Sequence, residues 1–313
     1  EKYGESAMRA RMEQSAVRLL KNIFRCGLFE NPYLDPEESK KIVGCKKFAE
    51  AGYQAQLQSV VMVKNQQVLP IASNKKVYIP SRHINARKNF FRGMDPAKDI
   101  QPVEKSLVEH YYQWADTPEE ADFALVFIES PLSDGYSQED ANAGGNGYVP
   151  ISLQYRPYVA EYGRETSVAG GDFRESFTNR GYRGKTGTAA NESDLDLVLD
   201  TKAAMGDKPV IVCLRMHNPT VLSELEPYAD GILIDFGVQK QAIFDLVTGK
   251  AQPSGLLPVQ LPATMETVEH HCEDRPFDME AYVDQAGNTY DYGFGLNWNG
   301  VIQNERVTRY PKI

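Results

Sequence analysis

What this chain of 313 residues lacks narrows its function first. It has four cysteines, Cys26, Cys45, Cys213 and Cys272, widely spaced and with no C-x-x-C pair, so neither a zinc knuckle nor a dithiol redox motif is indicated. It is short of positive charge: 34 Lys and Arg against 43 Asp and Glu give a net charge of −9. Nucleic-acid binding is therefore not expected, because that function needs a basic face to neutralise phosphates. No apolar run approaches the roughly 18 to 20 residues of a spanning helix, and the longest, Phe123 to Ile128, has the length of a buried strand. No membrane span is expected, and repeats and low-complexity tracts are absent. There is no initiator Met. Residue 1 enters directly into a charged helical pattern, so the chain is expected to start inside a longer protein.

What remains is ordinary globular material, 42% hydrophobic and 10% aromatic, ample for one large core or two smaller ones. Residues 5 to 25 repeat Met8, Met12, Val17, Leu20, Ile23 and Phe24 at helical spacing and end at Gly27, a C-cap residue, which predicts one amphipathic helix. Leu28 to Glu38, punctuated by Pro32 and Pro36, reads as an interdomain connector. A second helix is expected from about Lys46 to Val61. Beyond it, Val77 to Ile79, Phe123 to Ile128, Val210 to Leu214 and Gly231 to Ile234 are short apolar segments. Helical patterns near 103–115, 192–205, 219–226 and 238–248 separate them. This alternation is what parallel βα units produce, so the class is α/β, a mostly parallel sheet sandwiched by helices, with ligand-facing loops at the carboxyl ends of the strands. Residues 129–190 form a long insertion rich in Gly, Tyr, Asn and Arg. A connection of that length is a candidate site element.

Two runs near the end are not ordinary loop chemistry. Pro253-Ser254-Gly255-Leu256-Leu257-Pro258 is a Pro/Gly turn feeding an apolar segment, Leu256 to Pro262, which reads as a short edge strand because Pro258 and Pro262 cannot donate to a ladder. Tyr290-Asp291-Tyr292-Gly293-Phe294-Gly295-Leu296-Asn297-Trp298 alternates rings with glycines, which lets the backbone approach a partner surface closely while large rings fill the gaps. Together they resemble the closing signature of the C-terminal domain of glycoside hydrolase family 3. Val17 to Leu20 with Gly27 to Tyr33 is similar to that family's last barrel helix and linker, and Val61 to Pro70 to the start of its second domain. The resemblance divides the chain into a terminal helix of an absent (β/α)8 barrel (1–27), a linker (28–45) and the α/β sandwich domain (46–313).

The family implies a retaining exo-β-glycosidase, β-glucosidase-like, with a carbohydrate substrate and no cofactor. Retaining hydrolysis needs two carboxyl groups about 5 to 5.5 Å apart, a nucleophile and a proton donor. In the family the nucleophilic Asp comes from the N-terminal (β/α)8 barrel, and in many members the acid/base Glu comes from the α/β domain. This chain is therefore expected to lack the nucleophile and to depend on that barrel as a partner. An ungapped count from Ser254-Gly255 places Val238 where the family carries Glu. The alternative class is a non-catalytic carbohydrate-binding or structural domain whose acid is lost.

Three other carboxylates are candidates for acid/base work. Asp235 ends the Gly231 to Ile234 segment and either meets ligand or caps the next helix; Glu129 directly succeeds the Phe123 segment; Asp134, in Asp134-Gly135-Tyr136, echoes an acidic family motif. Tyr136, Tyr148 and Tyr155, with Arg156, have the chemistry to stack on and hydrogen-bond a pyranose, or else pack the loop; Glu139, with Asp140, either contacts substrate or starts a solvated helix.

His217-Asn218-Pro219 resembles the family's G-N-P turn, with Pro219 opening a helix. His270-His271-Cys272-Glu273-Asp274 does not predict a metal site, since adjacent side chains point different ways. Gly184-Lys185-Thr186 is no phosphate loop, because Asn179 stands where the first glycine must be and no apolar strand precedes it. Ser73 to Lys76 with Ser133-Asp134-Gly135 and Lys185-Thr186-Gly187 imitates the serine enzymes that recognise penicillin. Ser73, however, lies in a polar turn instead of at the start of a buried helix.

Overall fold

The computed structural model describes residues 4–89, 93–163, 181–271 and 278–309. The chain divides into two compact units, residues 1–53 and 54–313.

The first unit is helical. α1 (Glu5–Arg25) ends in paired backbone bonds, Leu28 N–H to Ile23 O at 3.2 Å and Gly27 N–H to Phe24 O at 3.0 Å, with Gly27 at φ +67. That closure satisfies the last carbonyls and needs a residue that tolerates the left-handed region, the cap role expected of Gly27. No residue of α1 is buried, and Met8, Met12, Leu20 and Phe24 stand exposed along it. The connector contains a helix of its own, α2 (Pro36–Ile42). Asp35 caps it, accepting from Glu37 N–H at 2.8 Å, and Pro36 occupies the first turn, where a missing N–H costs nothing. α3 (Lys46–Ser59) carries the chain across the boundary.

The second unit is built on one eight-stranded sheet. In chain order its strands begin with β1 (Val61–Asn65) and β2 (Lys76–Tyr78). Two small antiparallel ribbons come next, pairing β3 (Arg82–Ile84) with β6 (Lys98–Ile100) and β4 (Arg87–Asn89) with β5 (Gly93–Asp95). The short α4 (Lys105–Val108) leads to β7 (Gln113–Ala115) and then β8 (Phe123–Glu129). The insertion holds α5 (Gln138–Asn142), β9 (Tyr158–Val159) and β10 (Thr186–Gly187), the last two paired antiparallel. After it come α6 (Ser193–Met205), β11 (Val210–Arg215), β12 (Gly231–Asp235), α7 (Lys240–Val247), α8 (Met265–His270), β13 (Leu296–Asn297), β14 (Gly300–Val301) and α9 (Glu305–Arg309).

The sheet order is β14-β13-β1-β12-β11-β8-β2-β7. β12, β11, β8, β2 and β7 run parallel, while β1 joins β12 antiparallel and β13 and β14 continue antiparallel beyond it. β8 and β11 are buried almost end to end, which is why they read as continuous apolar runs: helices cover both faces. On one face Ala124, Val126, Val212, Leu214, Ile232 and Ile234 pack with Leu195, Val198 and Met205 of α6. On the other, Phe244 of α7 stacks on Tyr111 with ring centroids 5.2 Å apart, and Tyr112 meets Phe123 edge-on at 4.9 Å.

Several expectations change. The 103–115 helix shrinks to α4, and residues 113–115 form strand β7 instead. The 219–226 helix is two short 3-10 turns, Leu222–Glu224 and Glu226–Tyr228, so Pro219 opens no α-helix; Pro227 removes the donor that would continue one. Residues 256–262 form no edge strand. The prolines leave too few donors for a ladder, so the segment docks through Leu257 N–H to Phe294 O at 2.7 Å and Leu261 N–H to Tyr290 O at 3.0 Å.

That docking fulfils the close approach expected of the glycine-rich ending. A Cβ at Gly255 would stand 2.3 Å from Val60 O, and one at Gly295 2.3 Å from Gly255 O, so three backbones are layered with no room for a methyl group. Fully buried Tyr290 stacks on Phe294 at 5.3 Å beside them. A buried pair also fastens the ending: Lys64 Nζ meets Glu226 Oε1 at 2.5 Å, and Tyr282 donates to Glu226 Oε2 at 2.9 Å.

Candidate functional site

The carboxyl ends of the three central parallel strands align. Arg215 of β11 lies in register with Glu129 of β8 on one side and Asp235 of β12 on the other, so a carboxylate, a guanidinium and a carboxylate finish neighbouring strands. In open parallel sheets this edge is where ligands bind.

Glu129 is the best-supported carboxylate there. Its backbone is fixed: its N–H donates to Asp194 Oδ2 at 3.2 Å, and its carbonyl accepts from Tyr155 Oη at 2.7 Å and from Asn191 Nδ2 at 3.2 Å. Its side chain, 24% exposed, receives Arg82 Nη2 at 3.1 Å and has His217 Nε2 3.8 Å from Oε1. Burial works against ionisation of Glu129, but the charge and hydrogen bond of Arg82, with His217 and Arg215 beyond it, outweigh burial and hold the carboxyl below its ordinary range. Glu129 is thus a carboxylate at neutral pH, an acceptor of hydrogen bonds and not a donor.

Arg82 is itself held from behind. Asp194, wholly buried in the first turn of α6, accepts from its Nε at 2.6 Å and its Nη2 at 2.8 Å. Asn191 ties the cluster together, donating to Asp194 Oδ2 at 2.8 Å and to Ser130 O at 3.1 Å while accepting from Leu132 N–H at 2.7 Å. Ser130 Oγ in turn accepts from His217 N–H at 2.9 Å, so the start of the insertion and the turn after β11 share one frame.

Asp235 is almost fully buried. Its Oδ1 accepts from Gly237 N–H at 2.8 Å and Val238 N–H at 3.2 Å, the capping alternative, while Oδ2 is buried with no hydrogen-bond partner. Asp134 is exposed on the loop beyond Glu129. Tyr136, half exposed, bridges to Tyr148 across a small antiparallel contact, the two rings edge to face at 6.1 Å, and Glu139 lies exposed in the first turn of α5.

Asp140 anchors this part of the insertion, accepting from Lys185 Nζ at 2.7 Å and from Gly147 N–H at 2.8 Å. Arg156 is engaged by Glu192 at 2.7 Å and Asp196 at 2.6 Å, and those hydrogen bonds raise its pKa further. Tyr155 is a core residue with no exposed surface, its hydroxyl pushed up chiefly by burial. Its backbone N–H and that of Arg156 bond the carboxylate of Glu224 at 2.6 and 3.1 Å.

The structure therefore gathers Glu129 and Asp235 at the strand ends, with Asp134, Tyr136, Glu139 and Tyr148 on the loop that leaves them. Arg82, Asn191 and Asp194 are not among the residues the sequence singles out, and His217 reads there only as part of a turn. The available signal for Arg82 was its position just past the carboxyl end of β2. Among the described residues no group of three His, Cys, Asp or Glu side chains is placed to hold a metal ion. Of the 270–274 cluster, Cys272, Glu273 and Asp274 lie outside the described residues. His270 packs against Tyr162 at 4.8 Å and His271 bonds Asp278.

Comparison with known proteins supplies the context. The family model for the glycosyl hydrolase family 3 C-terminal domain matches residues 60–298. A probable beta-glucosidase C of Aspergillus flavus is 27% identical over 289 residues, covering 92% of this chain and 35% of its own length. A periplasmic beta-glucosidase/beta-xylosidase of Dickeya chrysanthemi is 23% identical over 287 residues, covering 92% of this chain and 34% of its own. The chain thus spans about a third of the length of these curated relatives. The crystal structure of a beta-glucosidase from Listeria innocua in complex with isofagomine superposes over 90% of this chain and 38% of that one, at 15% identity and a TM-score of 0.50, a likeness of fold.

Proposed function

The chain belongs to glycoside hydrolase family 3 through that family's C-terminal domain, and from this premise we propose that the protein containing it is a retaining exo-β-glycosidase of β-glucosidase type. In this reading the carboxyl edge of the sheet forms one wall of an active site whose other wall, with the nucleophilic Asp, belongs to an N-terminal (β/α)8 barrel. The observation that carries the proposal is the held, ionised Glu129 at the end of β8, backed by Arg82 and Asp194. A carboxylate so placed accepts hydrogen bonds from sugar hydroxyls. The exposed stripe of α1, Met8 to Phe24, supports a barrel neighbour, because a helix with that pattern needs an apolar surface to cover it.

Proton donation falls to a different group, since a carboxyl that Arg82 holds ionised is a poor acid at neutral pH. We assign it to Asp134, exposed beyond Glu129 on a loop where Gly135 meets Ile151 and Tyr136 bridges to Tyr148; the barrel wall that covers this loop then has to bury the carboxyl so that it keeps its proton. Tyr136 and Tyr148 offer ring faces to the sugar, with Glu139 at the rim.

The test uses the full-length protein with 4-nitrophenyl β-glucoside and with cellobiose. Wild type hydrolyses both. Asp134→Asn loses about 10²-fold or more on cellobiose and much less on the nitrophenyl substrate, because a good leaving group needs little protonation. Glu129→Gln weakens both alike by removing a sugar contact. Hydrolysis of neither substrate by wild type refutes the proposal in favour of a second reading, a non-catalytic carbohydrate-binding domain. That reading draws on Val238, which stands where the family resemblance places Glu and whose N–H only closes the Asp235 turn.

A further inference from the structure

The middle strand of the carboxyl edge ends in a cation that, beyond the effect of its charge on Glu129, the catalytic reading leaves unused. Arg215 is exposed, and among the described residues its guanidinium makes no hydrogen bond or salt bridge, unlike Arg82, which is bonded to Asp194 and Glu129. It is nonetheless seated. A Cβ at Gly237 would stand 3.0 Å from Arg215 Nη2, so the guanidinium rests on a backbone left bare for it, and Gly237 adopts φ +104, where side chains are strained. Asp235 Oδ1 ties that turn through the N–H groups of Gly237 and Val238. The same turn presents Phe236 with 43% of its surface exposed, an apolar ring with no place in the core.

Resting on the exo-glycosidase reading, we propose that Arg215 and Phe236 form the leaving-group subsite and select aryl aglycones that carry a carboxylate. In an exo-acting enzyme the terminal sugar is enclosed near the catalytic groups and the leaving group points towards the rim, where exposed side chains receive it. Arg215 shares its register with Glu129, so the subsite adjoins the sugar-binding carboxylate. A guanidinium fork matches a carboxylate bidentately, and a neutral sugar offers it no such partner. An exposed ring beside it stacks on an aromatic aglycone.

The experiment compares 4-carboxyphenyl with 4-carbamoylphenyl β-glucoside on the full-length protein, a pair differing in charge and little in size. The expected preference for the acid in kcat/KM is about tenfold at low salt, the worth of one charge-assisted hydrogen bond. It shrinks as ionic strength rises, and it is abolished in Arg215→Gln. Phe236→Ala lowers kcat/KM for both aryl substrates relative to methyl β-glucoside. No preference in wild type, or one that survives Arg215→Gln, overturns the proposal. Calorimetric titration with 4-hydroxybenzoate separates the two readings. Binding that requires Arg215 in a protein that cleaves no glycoside refutes the enzyme reading and keeps the subsite, whereas hydrolysis with neither charge preference nor benzoate binding removes the subsite alone.

Discussion

Replacing Gly255 by Ala adds a single methyl group at the tightest point of the second unit. The new Cβ would land 2.3 Å from Val60 O, 2.6 Å from Val60 C and 3.0 Å from Val61 N, all backbone atoms. None can rotate away. Val60 and Val61 have no exposed surface, and Val61 is held in register with Ile234 in the middle of the sheet. Relief requires moving the Pro253 to Pro258 segment outward by several tenths of an ångström. That strains its bond to Phe294 and its contact with Gly295, whose own Cβ position is 2.3 Å from Gly255 O. Overpacking a filled site costs about 1–3 kcal/mol, and contact with immobile backbone puts this one near the upper end. For a unit of this size, about 3 kcal/mol corresponds to a fall in Tm of roughly 6–10 °C.

Urea unfolding monitored by circular dichroism, with calorimetry for Tm, measures the effect. Gly52→Ala is the matched control: Gly52 lies inside α3 with no heavy atom within 4 Å and no positive φ, so the same methyl should stabilise by about 0.5–1 kcal/mol. A Gly255→Ala protein within about 0.5 kcal/mol of wild type would refute the layered-backbone account. In the double variant with Gly295→Ala the costs should be less than additive, because one displacement relieves both contacts.

The charge cluster yields two further outcomes. Asp194→Asn leaves Arg82, whose side chain is only 10% exposed, with Glu129 as its remaining carboxylate partner, and should cost about 3 kcal/mol in urea unfolding; a loss below about 1 kcal/mol would show that the pair does not hold the site. Glu129 titrates below its ordinary range in the folded protein, so its stabilising contribution is complete above the unfolded-state pKa of about 4.3 and disappears as pH falls through the lowered folded value. Wild type should therefore exceed Glu129→Gln in Tm at pH 7 and converge with it in acid, whereas a gap that widens on acidification contradicts the assignment.

The parallel core was legible because β8, β11 and β12 are buried on both faces and so appear as uninterrupted apolar runs. β1 was not, because only Val60 separates Val61 from α3 and Lys64, inside the strand, is charged. Only the fold shows Lys64 meeting Glu226, far along the chain, at 2.5 Å. The glycine and ring alternation of 290–298 was readable as close approach, but which backbone approaches which depends on Gly255. The site divides in the same way. A residue ending an apolar run announces itself, so Glu129 and Asp235 were found. Arg82 and Asp194 lie 112 residues apart in sequence, and no periodicity marks such a partnership.

The cluster's electrostatics also constrain how the chemistry must be shared. The chain carries a net charge of −9, yet around Glu129 it collects Arg82, His217 and Arg215. Arg82 and Arg215 carry fixed positive charge there. Their effect is to keep one carboxylate ionised and, through Asp194 and Asn191, oriented. A group stabilised as an anion is weakened as an acid by the same interaction, so the edge can fix a hydrogen-bond acceptor or supply a proton donor, but not with one residue. On the glycosidase reading the donor is Asp134, exposed on the loop beyond β8. Arg215, whose guanidinium has no bonded partner among the described residues, adds its charge to that effect and keeps its hydrogen-bond donors open, which is what the proposed anionic aglycone requires.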